Sequence, residues 1–332
     1  MTNVNVPDIL SFSRLSGAVS DLKTRAETTR TEAVTGRYED ITAANNGDVG
    51  NAHLLSKAVE DVQSYQRNLS LAENRAQRTQ LVLNTLTTES NRIASESLSA
   101  VGRGDEATLR TNAADAKAAV TIIFAALNTT EGGRALFGGD VTDRAPFASP
   151  DQLLSDVETI VAGATSDADA KAQLDFYFND PAGGFATSIY NGGDNEAPST
   201  EIAPGVRISV STKGDAQPIK DLIRGLSEIA ASGSISYGSS TSFVETSAST
   251  TLSAESALTE LRAEIGVGEA RVSASKARYE AEETILTTLF NEKTARDPFE
   301  AASELQLLES QLEASYLMTA RLARLTIADY LR

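Results

Sequence analysis

The chain has 332 residues, a formal net charge of −17 at pH 7 and no cysteine. The acidic surface disfavours nucleic acid and anionic lipid, and the missing cysteines exclude disulfides, thiolate zinc sites and cysteine nucleophiles. No apolar run is long enough to span a bilayer, and the stretch MTNVNVPDILSFSRL lacks the features of a cleaved secretory signal. We therefore expect neither nucleic-acid nor membrane partners, and any export to proceed without a cleaved signal peptide.

A repeat of uncharged positions, spaced alternately by three and four residues, predicts the first helix. Gly36 follows the repeat and predicts that the helix ends near Thr35, before an Asn- and Gly-rich loop. The repeat consists of Phe12, Leu15, Val19, Leu22, Ala26, Thr29 and Ala33.

A longer uncharged repeat runs from Ala58 to Ala100 and predicts a second helix of roughly 45 residues. Such a length is typical of coiled-coil or rod-like packing rather than of ordinary globular helices. The GRGD string at 102–105 matches an integrin-binding triplet, but we interpret it as a turn. A third helix from Leu109 to Leu127 follows and stops before the glycine-rich stretch GGRALFGGD at 132–140.

The composition changes between 145 and 247, where proline and glycine become frequent. Ser149 and Pro150 predict the start of a short helix, and Pro204-Gly205 lies between two β-prone runs, which indicates a hairpin. A further short helix is predicted in DAQPIKDLIRGLSEIAASG, and the Ser/Thr-rich GSISYGSSTSFVETSASTT is interpreted as a return linker. We interpret this region as an α+β domain inserted into a helical rod.

The helical pattern resumes after the insert, and Pro298 separates a last helix that begins near Phe299. That helix carries two apolar stripes and is apolar nearly all round from Ala314 onward, which is more surface than the first helix can cover. We therefore predict that it packs against other chains; packing of both ends within one monomer is the alternative. The stripes are Leu305, Leu308, Leu312 and Tyr316, and Leu307, Ala314, Met318 and Leu325.

The predicted fold class is mainly α, with a long-helix coiled-coil rod formed by both chain ends and an inserted α+β domain. The predicted domains are residues 1–140, with 1–35 as a terminal assembly helix; the insert, 141–247; and 248–332, with 299–332 as the second terminal assembly helix. The predicted assembly interface consists of Phe12, Leu15, Val19, Leu22, Leu305, Leu308, Leu312, Tyr316, Met318, Leu322, Leu325 and Ile327.

No residue pattern in the chain predicts catalysis. His53 is the single histidine, so neither a conventional zinc site nor a well-marked triad can be built, and no calcium loop is recognisable. The spacing from Gly133 begins like a phosphate-binding loop, but Gly139 and Asp140 stand where a lysine and a hydroxyl are needed. We expect no enzyme activity, no cofactor and no metal site, and we interpret 132–140 as a domain-boundary motif.

The stretch GGRALFGGDVTDRAPF resembles a segment of the hook–filament junction proteins, also called hook-associated protein 3, of the flagellin superfamily. The resemblance rests on Gly133, Arg134, Leu136, Phe137 and Gly139, with Ala135 in place of the family's aromatic residue. YQRNLSLAENRAQRTQLVLNTL and LEASYLMTARLARLTIADYL are also similar to the family, whereas the turn after the first helix departs from it. The Gln-Ala-Asn string of filament flagellin is missing.

The resemblance implies a structural adaptor of the bacterial flagellum that joins the hook-side junction zone to the filament. It implies an extracellular location, export without a cleaved signal, and an insert that faces outward. The implied partners are copies of the chain in a ring, the hook-side junction protein, flagellin and an export chaperone. Two alternatives stay open: a filament flagellin, and a secreted acidic adhesin or enzyme with a helical stalk.

Overall fold

The computed structural model describes residues 7–44, 50–196, 199–238 and 240–330. Within these ranges, side chains are described from residue 13 to residue 321. It is mainly α, which confirms the predicted fold class. The helices are α1 (Pro7–Thr35), α2 (Ile41–Ala44), α3 (Gly50–Arg103), α4 (Glu106–Leu127), α5 (Pro150–Gly163), α6 (Asp167–Asn179), α7 (Gln217–Ala231), α8 (Ser240–Thr294) and α9 (Pro298–Tyr330).

Two short antiparallel hairpins make up the β structure of the described residues. Strands β1 (Thr130–Glu131) and β2 (Arg134–Ala135) form the first, and β3 (Thr200–Ala203) and β4 (Val206–Ile208) form the second. The second hairpin turns at the predicted Pro-Gly pair, where Gly205 has a φ of 72°. The described residues also include a π-helical turn (Phe185–Ile189) and a 3-10 turn (Ser232–Ser234).

The chain forms two compact units: Met1–Gln63 with Ala281–Arg332, and Ser64–Glu280. The first unit contains α1, α2, α9, the beginning of α3 and the end of α8. The second contains the rest of α3 and α8 together with α4 to α7 and both hairpins, so the predicted insert lies within it. The predicted domain bounds remain a prediction.

The core of the second unit is built from the predicted stripe of α3 and from α4 to α8. Leu69, Leu83, Leu86 and Ile93 of α3 are fully buried, and Phe124 and Leu127 of α4 are buried with them. Most other core positions of α3 are small or hydroxylated, which lets neighbouring helices approach closely. These positions are Ala72, Ala76, Thr79, Ser90, Ser97 and Ala100.

The predicted return linker is wrong from Ser240 onward, because α8 begins there. Phe243, Val244 and Ala248 are buried, and this apolar face outweighs the weak helix propensity of serine and threonine. Hydroxyl groups in this tract donate to backbone carbonyls four residues earlier, for example from Thr251 to Ser247 at 2.9 Å. The hydroxyl groups therefore find partners without breaking the helix.

Candidate assembly interface

The two ends of the chain pair with each other in the first unit. The end of α1 lies beside the start of α9, because the backbone N–H of Arg296 donates to the carbonyl of Gly36 at 3.0 Å, and α1 and α9 are in contact along their lengths. The two helices therefore run antiparallel. Their seam buries Ala26 and Thr29 of α1 and Ala301 and Leu308 of α9.

The structure places the predicted interface residues in three groups. Leu308 is buried in the seam, while half-buried positions flank it at Leu15, Val19, Leu22, Leu305 and Leu312. Tyr316 and Met318 are exposed. The remaining four lie in α1 and α9 by their backbone, but their side chains are outside the described residues: Phe12, Leu322, Leu325 and Ile327.

Large apolar side chains of α9 stay exposed after it has paired with α1. Leu307 is 58% exposed, whereas the adjacent Leu308 is 2% exposed, so the two neighbours lie on different faces of the helix. Leu317 and Met318 are also exposed, at 64% and 60%. We call these three residues and Ala314 the outer stripe. It shares Leu307, Ala314 and Met318 with the second stripe read from the sequence, and the side chain of Leu325 lies outside the described residues.

A cleft of about 550 Å³ lies between α1 and α9. Its lining combines Ala26 and Tyr316 with charged side chains of both signs, among them Lys23, Glu27 and Glu313. On α1, Arg30 contacts Glu309 at 2.9 Å; Arg25 and Glu304 form a second exposed pair, at 3.5 Å. Exposed pairs of this kind contribute little to stability, because water competes for both partners.

A buried ion cluster closes the seam at the end where α1 finishes. The guanidinium of Arg296 binds Glu32 of α1 and Glu304 of α9, and it lies 5.4 Å from the ring centre of Tyr38. The side chains of Arg296 and Glu32 are both almost fully buried. Glu32 also accepts from the backbone N–H of Glu39 at 2.9 Å. Nothing in the sequence pattern singled out Arg296, because its buried partner Glu32 is distant along the chain.

The glycine-rich motif at 132–140 begins with a tight hairpin in the second unit. Gly132 and Gly133 join β1 to β2 with φ values of 56° and 77°, a left-handed pair that glycine adopts without strain. Arg134 is exposed, whereas Leu136 and Phe137 are fully buried. The structure therefore brings Leu136 and Phe137 into the core of the second unit.

Side chains from distant parts of the chain bind the backbone of this motif. Arg75 of α3 donates to the carbonyl oxygens of Ala135 and Leu136 at 3.3 and 2.9 Å. Burial lowers the pKa of the Arg75 guanidinium. The Tyr190 hydroxyl donates to the carbonyl of Phe137 at 3.1 Å, and burial raises its pKa. Neither Arg75 nor Tyr190 was predicted as a site residue, because neither lies near the motif along the chain.

The end of the motif packs directly against another loop. Gly139 has a φ of 62°, and a Cβ built on it would lie 2.4 Å from the carbonyl oxygen of Asn195. The backbone N–H of Asp140 donates to that same oxygen at 3.1 Å. The Asn195 amide donates to the Asp140 carboxylate at 2.8 Å and lowers its pKa. Gly139 thus allows the two backbones to approach closely, and Asp140 binds the Asn195 loop through its backbone and its side chain.

The residues considered for chemistry take ordinary positions. His53 is exposed on α3, and the described part of the chain holds no group of three or more side chains suited to a metal ion. Asp105 of the GRGD turn accepts from the backbone N–H of Thr108 at 3.0 Å and caps α4. Within the described ranges, no helix is long and apolar enough to cross a membrane.

The structure pairs the terminal helices α1 and α9, and an α+β region lies between them along the chain. Residues 249–331, most of α8 and all of α9, match the family model of the bacterial flagellin C-terminal helical region. The resemblance to the flagellin superfamily is thereby confirmed for these helices. No curated protein matches the sequence significantly.

Two solved flagellar structures have a similar fold. Bacillus cereus FlgL is 14% identical with a TM-score of 0.52, over 70% of this chain and 97% of that protein. A Vibrio parahaemolyticus protein described as flagellar hook-associated is 11% identical with a TM-score of 0.50, over 73% of this chain and 95% of that protein. At these identities the similarity establishes the fold, which is that of flagellar hook-associated proteins.

Proposed function

We propose that this chain is a structural adaptor of the bacterial flagellum that joins the hook-side junction zone to the flagellin filament. The observation that carries the proposal is the outer stripe of α9, which remains exposed after α1 has paired with α9. The flagellin-type C-terminal region and the similarity to FlgL support the flagellar setting. The adaptor works by binding and has no catalytic step.

The outer stripe has the spacing of a helix-packing surface. Leu307, Ala314 and Met318 follow one another at steps of seven and four residues, so they lie on one side of α9. Burying a leucine or methionine side chain stabilises an interface by about 1.5–3 kcal/mol. The partners that we infer are copies of the chain in a ring, the hook-side junction protein and flagellin.

The same proposal includes how the chain reaches its place. We infer that it is exported to the cell exterior without a cleaved signal peptide, with an export chaperone that covers the apolar terminal helices. The apolar surface of α9 supports this inference, because exposed apolar helix faces favour association before assembly is complete.

Deleting the gene tests the adaptor function. We expect hooks without filaments in electron micrographs and flagellin in the medium. Normal filaments on the mutant cells would refute the proposal.

A pair of substitutions tests whether the outer stripe carries assembly. Leu307→Asp should leave the free chain as stable as the parent, because Leu307 is already exposed. In the assembly it would bury an unpaired carboxylate at a cost of several kcal/mol, and incorporation into flagella should stop. The matched control is Leu71→Asp, at a leucine 66% exposed on α3 in the second unit. Normal motility of the Leu307→Asp strain, or equal loss in both strains, would contradict this assignment.

A filament flagellin is the second candidate, because the matched family model describes flagellin itself. Copy number separates the two candidates. Quantifying the chain in purified flagella should give a copy number per flagellum that fits a short junction zone. A number comparable to that of the main filament subunit would favour the flagellin.

A further inference from the structure

We propose that Arg296, together with the backbone bonds beside it, sets the axial register of the α1–α9 pair through its contact with the buried Glu32. Register here means which residue of α1 lies opposite which residue of α9. The register itself does not depend on the proposed function. Its consequence does rest on that function, because the register determines where the outer stripe is presented to partners.

The apolar seam alone specifies the register weakly. Its positions on α1 follow the repeat of Leu15, Val19, Leu22, Ala26, Thr29 and Ala33. A slip of seven residues replaces most of these side chains with another uncharged member of the same repeat, for example Ala26 with Val19 or Ala33. The buried members are small, so they supply few shape constraints. Such a slip would move α1 along α9 by about 10 Å.

The ion cluster distinguishes the native register from its slipped alternatives. A slip would separate Glu32 from Arg296 and leave two buried charges without each other, which is strongly unfavourable in a dry environment. The exposed pairs Arg25–Glu304 and Arg30–Glu309 cannot replace this effect, because solvent screens them. A single buried polar contact fixing helix register has precedent in coiled coils.

Backbone hydrogen bonds fix the position from which the Arg296 side chain extends. The N–H of Tyr38 donates to the carbonyl of Thr294 at 3.0 Å, and Arg37 pairs with Ala295 in an isolated antiparallel bridge. The Arg37 guanidinium also donates to the Asn291 side chain at 3.1 Å. These bonds join the segment just after α1 to the segment just before α9, so they hold the two helix ends together, and the Arg296–Glu32 contact extends this constraint into the seam.

Spin-label distances in the full chain test the proposal. The chain has no cysteine, so Val34→Cys and Glu313→Cys give unique label sites, one on each helix and both exposed. In the parent we expect one narrow distance distribution. The double variant Glu32→Met/Arg296→Met leaves no unpaired buried charge. It should stay helical by circular dichroism and gain a second population, displaced by about 10 Å along the axis.

Arg25→Met is the matched control, because it removes an exposed arginine that also contacts Glu304. The distance distribution of this control should equal that of the parent. An unchanged single distance in the Glu32→Met/Arg296→Met variant would overturn the proposal, and so would a broad distribution in the parent. If the parent chain shows the single narrow distance but does not incorporate into flagella, the proposed function is contradicted and the register proposal is not.

Discussion

Gly139 provides a sharp test of the glycine-rich motif, because a neighbouring glycine offers a matched control. Gly139 and Gly133 both have left-handed backbones, with φ values of 62° and 77°. They differ in their surroundings. A Cβ at Gly133 would meet nothing within 4 Å, whereas one at Gly139 would lie 2.4 Å from the carbonyl oxygen of Asn195. Substituting each by alanine therefore separates backbone strain from close packing.

The expected magnitudes follow from these contacts. Alanine in a left-handed conformation costs about 1–2 kcal/mol, and this cost applies to both variants. Gly139→Ala must also move the Asn195 loop, which weakens the 3.1 Å bond from the Asp140 N–H at about 1 kcal/mol. The total for Gly139→Ala is about 2–3 kcal/mol. In a unit of this size such a loss lowers Tm by about 4–12 °C.

Scanning calorimetry of the full chain with each substitution gives the comparison. We expect Gly133→Ala to lower Tm of the second unit by about half to two thirds as much as Gly139→Ala. Equal shifts would refute the reasoning, because they would mean that the approach of the Asn195 loop adds nothing to the backbone cost. A stabilising effect of Gly139→Ala would refute it more strongly.

Two further substitutions test the side chains that bind the motif. Arg75→Met removes two bonds to buried carbonyls and should reduce the free energy of unfolding, measured by urea titration, by about 1.5–3 kcal/mol. The control Arg78→Met replaces an exposed arginine and should change this free energy little. Equal effects of the two substitutions would contradict the assignment. Burial raises the pKa of Tyr190 above that of an unfolded tyrosine, about 10, so the unfolded state loses its proton first and stability falls as pH rises above 10. Tyr190→Phe should therefore flatten the decline of the urea midpoint between about pH 9 and 11, and an unchanged slope would contradict this.

Local sequence signals predicted the helices and turns that depend on few distant contacts. The uncharged repeat and the glycine after it predicted that α1 ends near Thr35, where the structure ends it. Gly36 has the left-handed φ of 66° expected of a terminating glycine. Ser149 accepts from the N–H of Asp151 at 3.2 Å, as expected of an N-cap residue before Pro150. In these places the conformation follows from the residue and its near neighbours.

The sequence failed where burial by distant elements decides the structure. Helix α6 was not predicted, because its apolar residues alternate with polar ones from Ala168 to Phe176 and this spacing does not mark a helix face. The buried residues Leu174 and Phe178 nevertheless lie four residues apart, on one face of the helix. The start of α8 was read as a linker because its serines and threonines have weak helix propensity. Ser247 shows the missing information: its hydroxyl receives a bond from Lys171 of α6 at 2.7 Å. No window of sequence contains both partners.

Long-range polar contacts also fix helix pairs in the second unit. Between α3 and α8 the buried α3 side chains are mostly small, and the aromatic share of the chain is only 5%, so packing alone constrains the axial position weakly. Gln80 and Arg262 exchange two hydrogen bonds at 2.8 and 3.1 Å, and the buried Glu255 accepts from Ser90 at 2.9 Å. A slipped register would leave Glu255 buried without this partner. Small-residue seams with one or two buried polar contacts thus recur in both units, and this recurrence is why we assign the register of α1 and α9 to Arg296 rather than to the apolar repeat.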